Sequence, residues 1–313
     1  MNRKAIAPPL LYIKVMLGLY LLLGFLSACK PAQRSTAQVT PSLAGEQTSA
    51  QVVTSTAAAP TSVPPTQQPL AAIADGWELS LAEYQAELAQ YKAARGTELA
   101  PEDEDRVLED LVNQALLASA ASKNGFSVDD ALLDERTQLL IDQLGGQAAL
   151  DSWMQTYGYD QATFRQALRR SIASAWMRDQ IAAGVPKTAE QIHARQILLY
   201  NLDQANEVMG LLRAGNDFGN LAVQYDPVTR GDLGWFPRGY LLDEKLEEIA
   251  FSLQPEAYTE IVQTLAGYHI LQVLERDAQY PLTPEALLAL QVQAVQSWLN
   301  EHRSQSEIQV LLP

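Results

Sequence analysis

At Thr188 the spacing of the apolar residues changes, and this constrains the fold more than any other feature of the chain. Before it, apolar positions recur at helical intervals. In PEDEDRVLEDLVNQALLASAASKNG, Val107, Leu108, Leu111, Val112, Ala115 and Leu116 fall at i, i+1, i+4, i+5, i+8 and i+9. Acids crowd the first turn and Asn124-Gly125 supplies the stop, so a long, half-buried helix is predicted. SVDD, Ser127 to Asp130, reads as a capping box with Asp in place of Glu and opens a second helix that runs to Gly145-Gly146. A shorter helix follows around Trp153. Asp160 is a candidate cap for another long one, on which Phe164, Leu168, Ile172 and Trp176 repeat every four residues before Gly184 and Pro186. Each of these stripes is read as core.

From Thr188 onward, QIHARQILLY mixes alternation with an apolar run and reads as a buried strand. QANEVMGLLRAG, FGNLAVQY and LLDEKLEEIAFSL read as helices; YTEIVQ and YHILQVLE read as strands. The order suggests a small α+β unit with a mixed or antiparallel sheet. After Pro281 and Pro284 comes one more amphipathic helix, with Leu287, Leu290, Val295 and Trp298 among its apolar positions, and then the apolar tail EIQVLLP. Such a helix needs a partner surface. The preceding helices are the nearest one, so the chain is expected to return to them.

The segment RGDLGWFPRGY, Arg230 to Tyr240, concentrates three glycines, an aspartate and a Trp-Phe pair. Glycine permits backbone angles or close approach that other residues forbid, and adjacent aromatics supply apolar surface. Two readings stand at this point: a packed hairpin corner, or a strand entry beside a pocket.

At the other end, Arg3, Lys4 and Lys14 flank the apolar run VMLGLYLLLGFL, followed by Ser27, Ala28 and Cys29. A positive start, a short apolar run and small residues define a secretory signal, and the run falls short of the ~20 residues of a confident membrane span. LSAC resembles the lipobox of bacterial lipoproteins, in which the cysteine is acylated; by that resemblance residues 1–29 are a lipoprotein signal and Cys29 is the lipidation site. Residues 30–72, rich in Ser, Thr, Ala, Gln and Pro, lack the large apolar residues that offset ordering entropy and are read as a disordered linker.

Of the 313 residues, 47% are hydrophobic, enough for one or two cores, and the formal net charge of -15 argues against a nucleic-acid partner. Arg169-Arg170 is the one notable basic pair. His193, His269 and His302 are scattered and no Cys-x-x-Cys occurs, so neither a metal nor a cofactor is called for.

Read together, ARQILLY, LLRAGNDFGNLAVQY, GDLGWFPRG, EIAFSL and GYHILQV resemble the parvulin-type (PpiC, rotamase) peptidyl-prolyl isomerase domain, over roughly Thr188 to Arg276. The surrounding helices resemble the SurA and PrsA class of extracytoplasmic foldases. The resemblance implies an α+β fold: a helical chaperone-like domain at 73–187, a parvulin-like domain with a four-stranded sheet at 188–277, and a helix and tail at 278–313 packing back on the helical domain. It implies a foldase tethered to the bacterial cell membrane through Cys29, acting outside the cytoplasm on unfolded exported polypeptides with X-Pro bonds. Within the motif, His269, Gln196 and Asp226 take the catalytic positions, and Leu242, Leu246 and Phe251 those that hold the proline ring. Trp235 and Phe236 are expected to pack. The family's usual pattern has a histidine where this chain has Gln196, and the loop after Tyr225 is short. Gln196 can still donate and accept, which leaves a hydrogen bond with His269 open to it, and His193, three positions away on the strand, does not replace the missing histidine. The competing reading is a holdase that binds unfolded chains without isomerising them.

Overall fold

A computed structural model describes residues 68–312 apart from Leu242; the signal, Cys29 and the linker before residue 68 lie outside the described residues. The architecture is α+β, a helical body edged by a three-stranded sheet and joined to a four-stranded antiparallel sheet with its own helices.

The body begins with a hairpin absent from the sequence reading. LAAIA (β1, Leu70–Ala74) and WELS (β2, Trp77–Ser80) pair antiparallel across Asp75-Gly76, whose φ values are +51° and +85°. Two successive positive φ angles suit a tight primed turn, for which Asp-Gly is a preferred pair. The linker boundary at residue 72 therefore falls inside β1, where Ala71 and Ala72 are fully buried. The alanines look like linker by composition, but β1 is the middle strand of its sheet and is held by ladders on both edges. The second edge is the apolar tail, which forms β7 (Ile308–Val310) antiparallel to β1.

Ser80 ends the hairpin and caps α1 (Leu81–Arg95), its Oγ accepting from Glu83 N at 3.2 Å. Then follow α2 (Pro101–Lys123), α3 (Asp130–Leu144), α4 (Gln147–Tyr157) and α5 (Gln161–Ala183). Asp160 caps α5, accepting from Thr163 N at 2.7 Å. The cap of α3 is Asp129, which accepts from Leu132 N at 2.8 Å; the helix starts two residues later than a box opened by Ser127 requires. The stripe Phe164, Leu168 and Ile172 packs with Leu133, Leu140, Leu150 and Met154. Arg170, on the same helix, is fully buried against Glu83, both side chains 1% exposed. Arg169 bonds Val128 O at 3.2 Å and Asp130 Oδ1 at 2.8 Å. The basic pair of the sequence thus belongs to the architecture.

The sheet domain runs β3 (Thr188–Leu199), α6 (Leu202–Arg213), α7 (Phe218–Tyr225), β4 (Asp232–Pro237), α8 (Glu244–Ser252), β5 (Val262–Gln263) and β6 (Tyr268–Pro281), with spatial order β4-β3-β6-β5. The expected strand YTEIVQ contracts to Val262–Gln263 plus one bridge at Tyr258. Ile197, Leu199 and Ile270 pack on α6 and α7. Ile192, Ala194, Leu271 and Val273 pack with Phe236 and with Leu246, Ala250 and Phe251 of α8. The helices thus cover the two faces of the sheet.

Entry and exit of this domain are paired: Thr188 lies opposite Pro281, and Leu282 N donates to Lys187 O at 2.9 Å. The chain then enters α9 (Pro284–Gln305), which packs along α5 and α2. Gln291 Nε2 donates to Ala182 O at 3.2 Å, Arg303 reaches Asn113 Oδ1 at 2.8 Å, and Leu299 joins the core of the body.

Candidate active site

Of the residues that the motif singles out, Gln196 and His269 meet at the centre of the four-stranded sheet. On β3 and β6, Leu198 lies opposite His269 and Gln196 opposite Leu271, so Gln196 and His269 are diagonal neighbours on one face, within reach of long side chains. His269 Nδ1 lies 2.9 Å from Gln196 Oε1 and its Nε2 lies 2.8 Å from Thr264 Oγ1. Thr264 Oγ1 also accepts from Ala266 N at 3.0 Å. The network assigns the protons: the hydroxyl, already accepting, gives its own hydrogen to Nε2, and Nδ1–H donates to Gln196. Burial pushes the His269 pKa below its ordinary value, against the opposing pull of nearby Asp243, which favours the neutral ring this network needs.

Two glycines allow the strand ends to close on this pair. Gly231, φ +72°, accepts from Gln196 N at 2.8 Å, and a Cβ there would lie 2.0 Å from Gln196 O. Gly267, φ +145°, sits where a Cβ would meet Leu199 O at 2.5 Å. One glycine of GDLGWF and that of GYHI therefore serve close approach. Phe236 is fully buried, and Trp235 stacks on Tyr280 at 4.1 Å and on His193 at 5.6 Å. His193 is engaged elsewhere, its Nε2 2.9 Å from Asp232 Oδ1.

Leu246 is 6% exposed and shares its cluster with Val262, the residue opposite His269 on β5. Phe251 is 3% exposed and boxed in: Phe236 meets its ring edge-on at 6.0 Å, Arg238 lies over it at 4.2 Å, and Arg276 Nη2 donates to its carbonyl at 2.6 Å. Phe251 thus packs within the chain, in the same cluster as Leu246. Leu242 lies outside the described residues. Leu233 and Leu241, half-buried at the edge of the same cluster, escaped the sequence reading. The loop that leads to Leu242 is fixed by Glu247, whose carboxylate accepts from Gly239 N at 2.7 Å and from Tyr240 N and Leu241 N at 3.0 Å.

Asp226 does not join the His269 network. Its carboxylate accepts from Val228 N at 3.1 Å, from Thr229 N at 3.0 Å and from the Thr229 hydroxyl, and these bonds hold its pKa below the usual carboxylate range. It organises the short loop after α7 and lines a cavity of about 240 Å³ that also includes Gln196. Thr264 was missed by sequence reasoning. Its signal was a hydroxyl five residues before the histidine, at the entrance of a Gly-containing turn.

Residues 199–275 match the family model described as the PPIC-type PPIASE (Rotamase) domain, and the sheet domain that holds them is thus a parvulin-type peptidyl-prolyl cis–trans isomerase domain. Beyond that domain the chain is similar to PrsA foldases and, over less of its length, to a SurA chaperone. It is 26% identical over 234 residues to Foldase protein PrsA of Halalkalibacterium halodurans, covering 66% of this chain and 69% of that one. Chaperone SurA of Burkholderia thailandensis is 32% identical over 155 residues, 43% of this chain and 34% of that protein. The solved structure of the PrsA peptidylprolyl isomerase from Bacillus cereus covers 76% of this chain and 90% of its own, at 19% identity and a TM-score of 0.44.

Proposed function

We propose that the protein is a lipid-anchored extracytoplasmic foldase that holds incompletely folded exported chains and isomerises their X-Pro bonds at His269. The anchor is Cys29, the tether the segment that follows it, and the division of labour places the isomerase on the four-stranded sheet and client holding on the helices. Among the described residues no helix is long and apolar enough to cross a membrane.

One observation carries this reading: a neutral imidazole, 7% exposed, is held between a hydroxyl and an amide on the sheet face that also carries Leu246. Rotation about X-Pro makes no bond, so neither a nucleophile nor a metal is required; the barrier is about 18 to 20 kcal/mol. Each ~1.4 kcal/mol removed gives tenfold, so about 4 kcal/mol suffices for a thousandfold. An apolar contact that grips the ring and excludes water favours the twisted amide, whose nitrogen and carbonyl have lost conjugation. The His269–Gln196 pair tunes it by hydrogen bonding. Gln196 donates and accepts whether or not a proton is bound to the ring, so it replaces a second histidine in geometry without adding a second titration.

The test is the cis-to-trans conversion of proline tetrapeptides. Acceleration by the protein, reduced in His269→Ala and in Leu246→Ala, is expected. No acceleration for any residue before proline, even in Gln196→His, together with suppressed aggregation of an unfolded client, would identify a holdase instead.

A further inference from the structure

We infer that the cavity beside Gln196 is a subsite for a cationic side chain, lysine or arginine, on the residue immediately before the proline. The inference rests on the isomerase reading and adds the identity of the residue on the amino-terminal side of the bond. Gln196 belongs both to the His269 pair and to the cavity wall, so an X-Pro amide lying over the pair carries a flanking residue into the cavity. With the proline ring directed to the apolar cluster of Leu246 and Val262, that flanking residue is X.

The lining has the chemistry of a cation receptor. Leu198, Tyr200, Tyr225, Asp226 and Gly231 share the wall with Gln196, and no lysine, arginine or histidine is among the lining residues. Tyr200 is 80% exposed and Tyr225 41%, and neither belongs to a core cluster, so their aromatic faces are free to meet a ligand. Aromatic faces attract ammonium and guanidinium groups. Asp226 adds a carboxylate whose bonds to the Thr229 hydroxyl and to backbone N–H groups keep it ionised and fixed in place. The methylene stem of a lysine suits Leu198 while its head reaches the polar end. The net charge of -15 adds a long-range attraction that salt screens. Two cations adjoin the lining in sequence and neither is part of it: Arg230, exposed in the loop between Asp226 and Gly231, and Arg195, whose Nε donates to Gln272 Oε1 at 2.9 Å and whose guanidinium lies 5.3 Å from the Phe218 ring.

The experiment uses the full chain and tetrapeptides with lysine, norleucine or glutamate before proline, read by both kcat/KM and the peptide's dissociation constant. Norleucine matches the lysine stem without the charge. Lysine is expected to exceed norleucine by about fivefold at low salt, with the ratio shrinking in high salt and falling toward one in Asp226→Asn and in Tyr200→Leu. Equal values for lysine and norleucine overturn the subsite. A preference for glutamate also overturns it and makes Arg230 the selecting charge. Acceleration of none of the peptides removes the isomerase reading alone. The dissociation constants then still decide the subsite: tighter lysine binding supports it, while equal affinity or no binding by any peptide overturns it.

Discussion

In the helical body Arg170 and Glu83 face each other as a buried pair, each side chain 1% exposed, whereas in the sheet domain His269 lies as a neutral ring between a hydroxyl and an amide. Both arrangements take polar groups out of water, and they do so for different ends. A buried ion pair is costly to assemble and costly to break singly, so it fixes how α1 meets α5 without gaining much net stability. A neutral hydrogen-bonded chain costs less to desolvate and leaves a group whose bonds can be exchanged for those of a bound amide. The difference separates a polar group that holds the frame from one that, on the proposed function, works on a substrate.

The largest effect that tests this comparison is on the frame. Arg170→Met leaves Glu83 buried without its partner and is expected to lower unfolding stability by about 3 to 5 kcal/mol, whereas the pair of changes Glu83→Leu and Arg170→Met recovers most of the loss. Urea titration reads both. Where Arg170→Met remains folded, kcat/KM on a proline peptide should be unchanged; a proportionate loss would mean that the two regions are not separable. Next in size, His269→Ala should lower kcat/KM by about tenfold, ~1.4 kcal/mol, with little change in the urea midpoint, and Thr264→Val should give a smaller loss of the same kind.

How far these features were legible in the sequence depends on how local they are. β3 and α7 could be read because their apolar patterns lie within short spans, whereas the pairing of Gln196 with His269, far apart in the chain, was legible only through the resemblance to the parvulin motif. The first hairpin was legible and not read: Asp75-Gly76 is a turn signal, but the alanines of β1 look like linker until β7 arrives from the far end of the chain to cover the second edge. Thr264 and Glu247 act through turns whose shape decides what the side chain meets, and spacing alone does not give that. Asp226 shows the limit of reading by position. It lines the cavity beside Gln196, yet its oxygens bond the loop that follows it and not His269, and Phe251 likewise sits on the right helix with its ring packed against Phe236 and Arg238.

The helical body also offers a sharper test of where a cap lies. Asp129→Ala should cost about 1 kcal/mol, whereas Ser127→Ala should stay within about 0.5 kcal/mol of the parent in the same urea assay. The smallest effect is in the pH response of the sheet domain. Because the folded His269 binds its proton less readily than in the unfolded chain, its contribution to stability is complete above the ordinary histidine pKa of about 6.5 and is lost as pH falls through the lower folded value. kcat/KM should follow the same course, level around neutrality and declining only below the ordinary histidine range, and His269→Gln should flatten that decline. A rise in activity on acidification would mean that the imidazolium is the working form.

The most direct measurement is magnetization exchange between the cis and trans resonances of an X-Pro peptide in the presence of the protein. Exchange cross-peaks at substoichiometric protein, strongly weakened in His269→Ala while the peptide still binds, are the predicted result. Undiminished exchange in that variant, or binding with no exchange in the parent, would contradict the assignment of His269 to the turning amide.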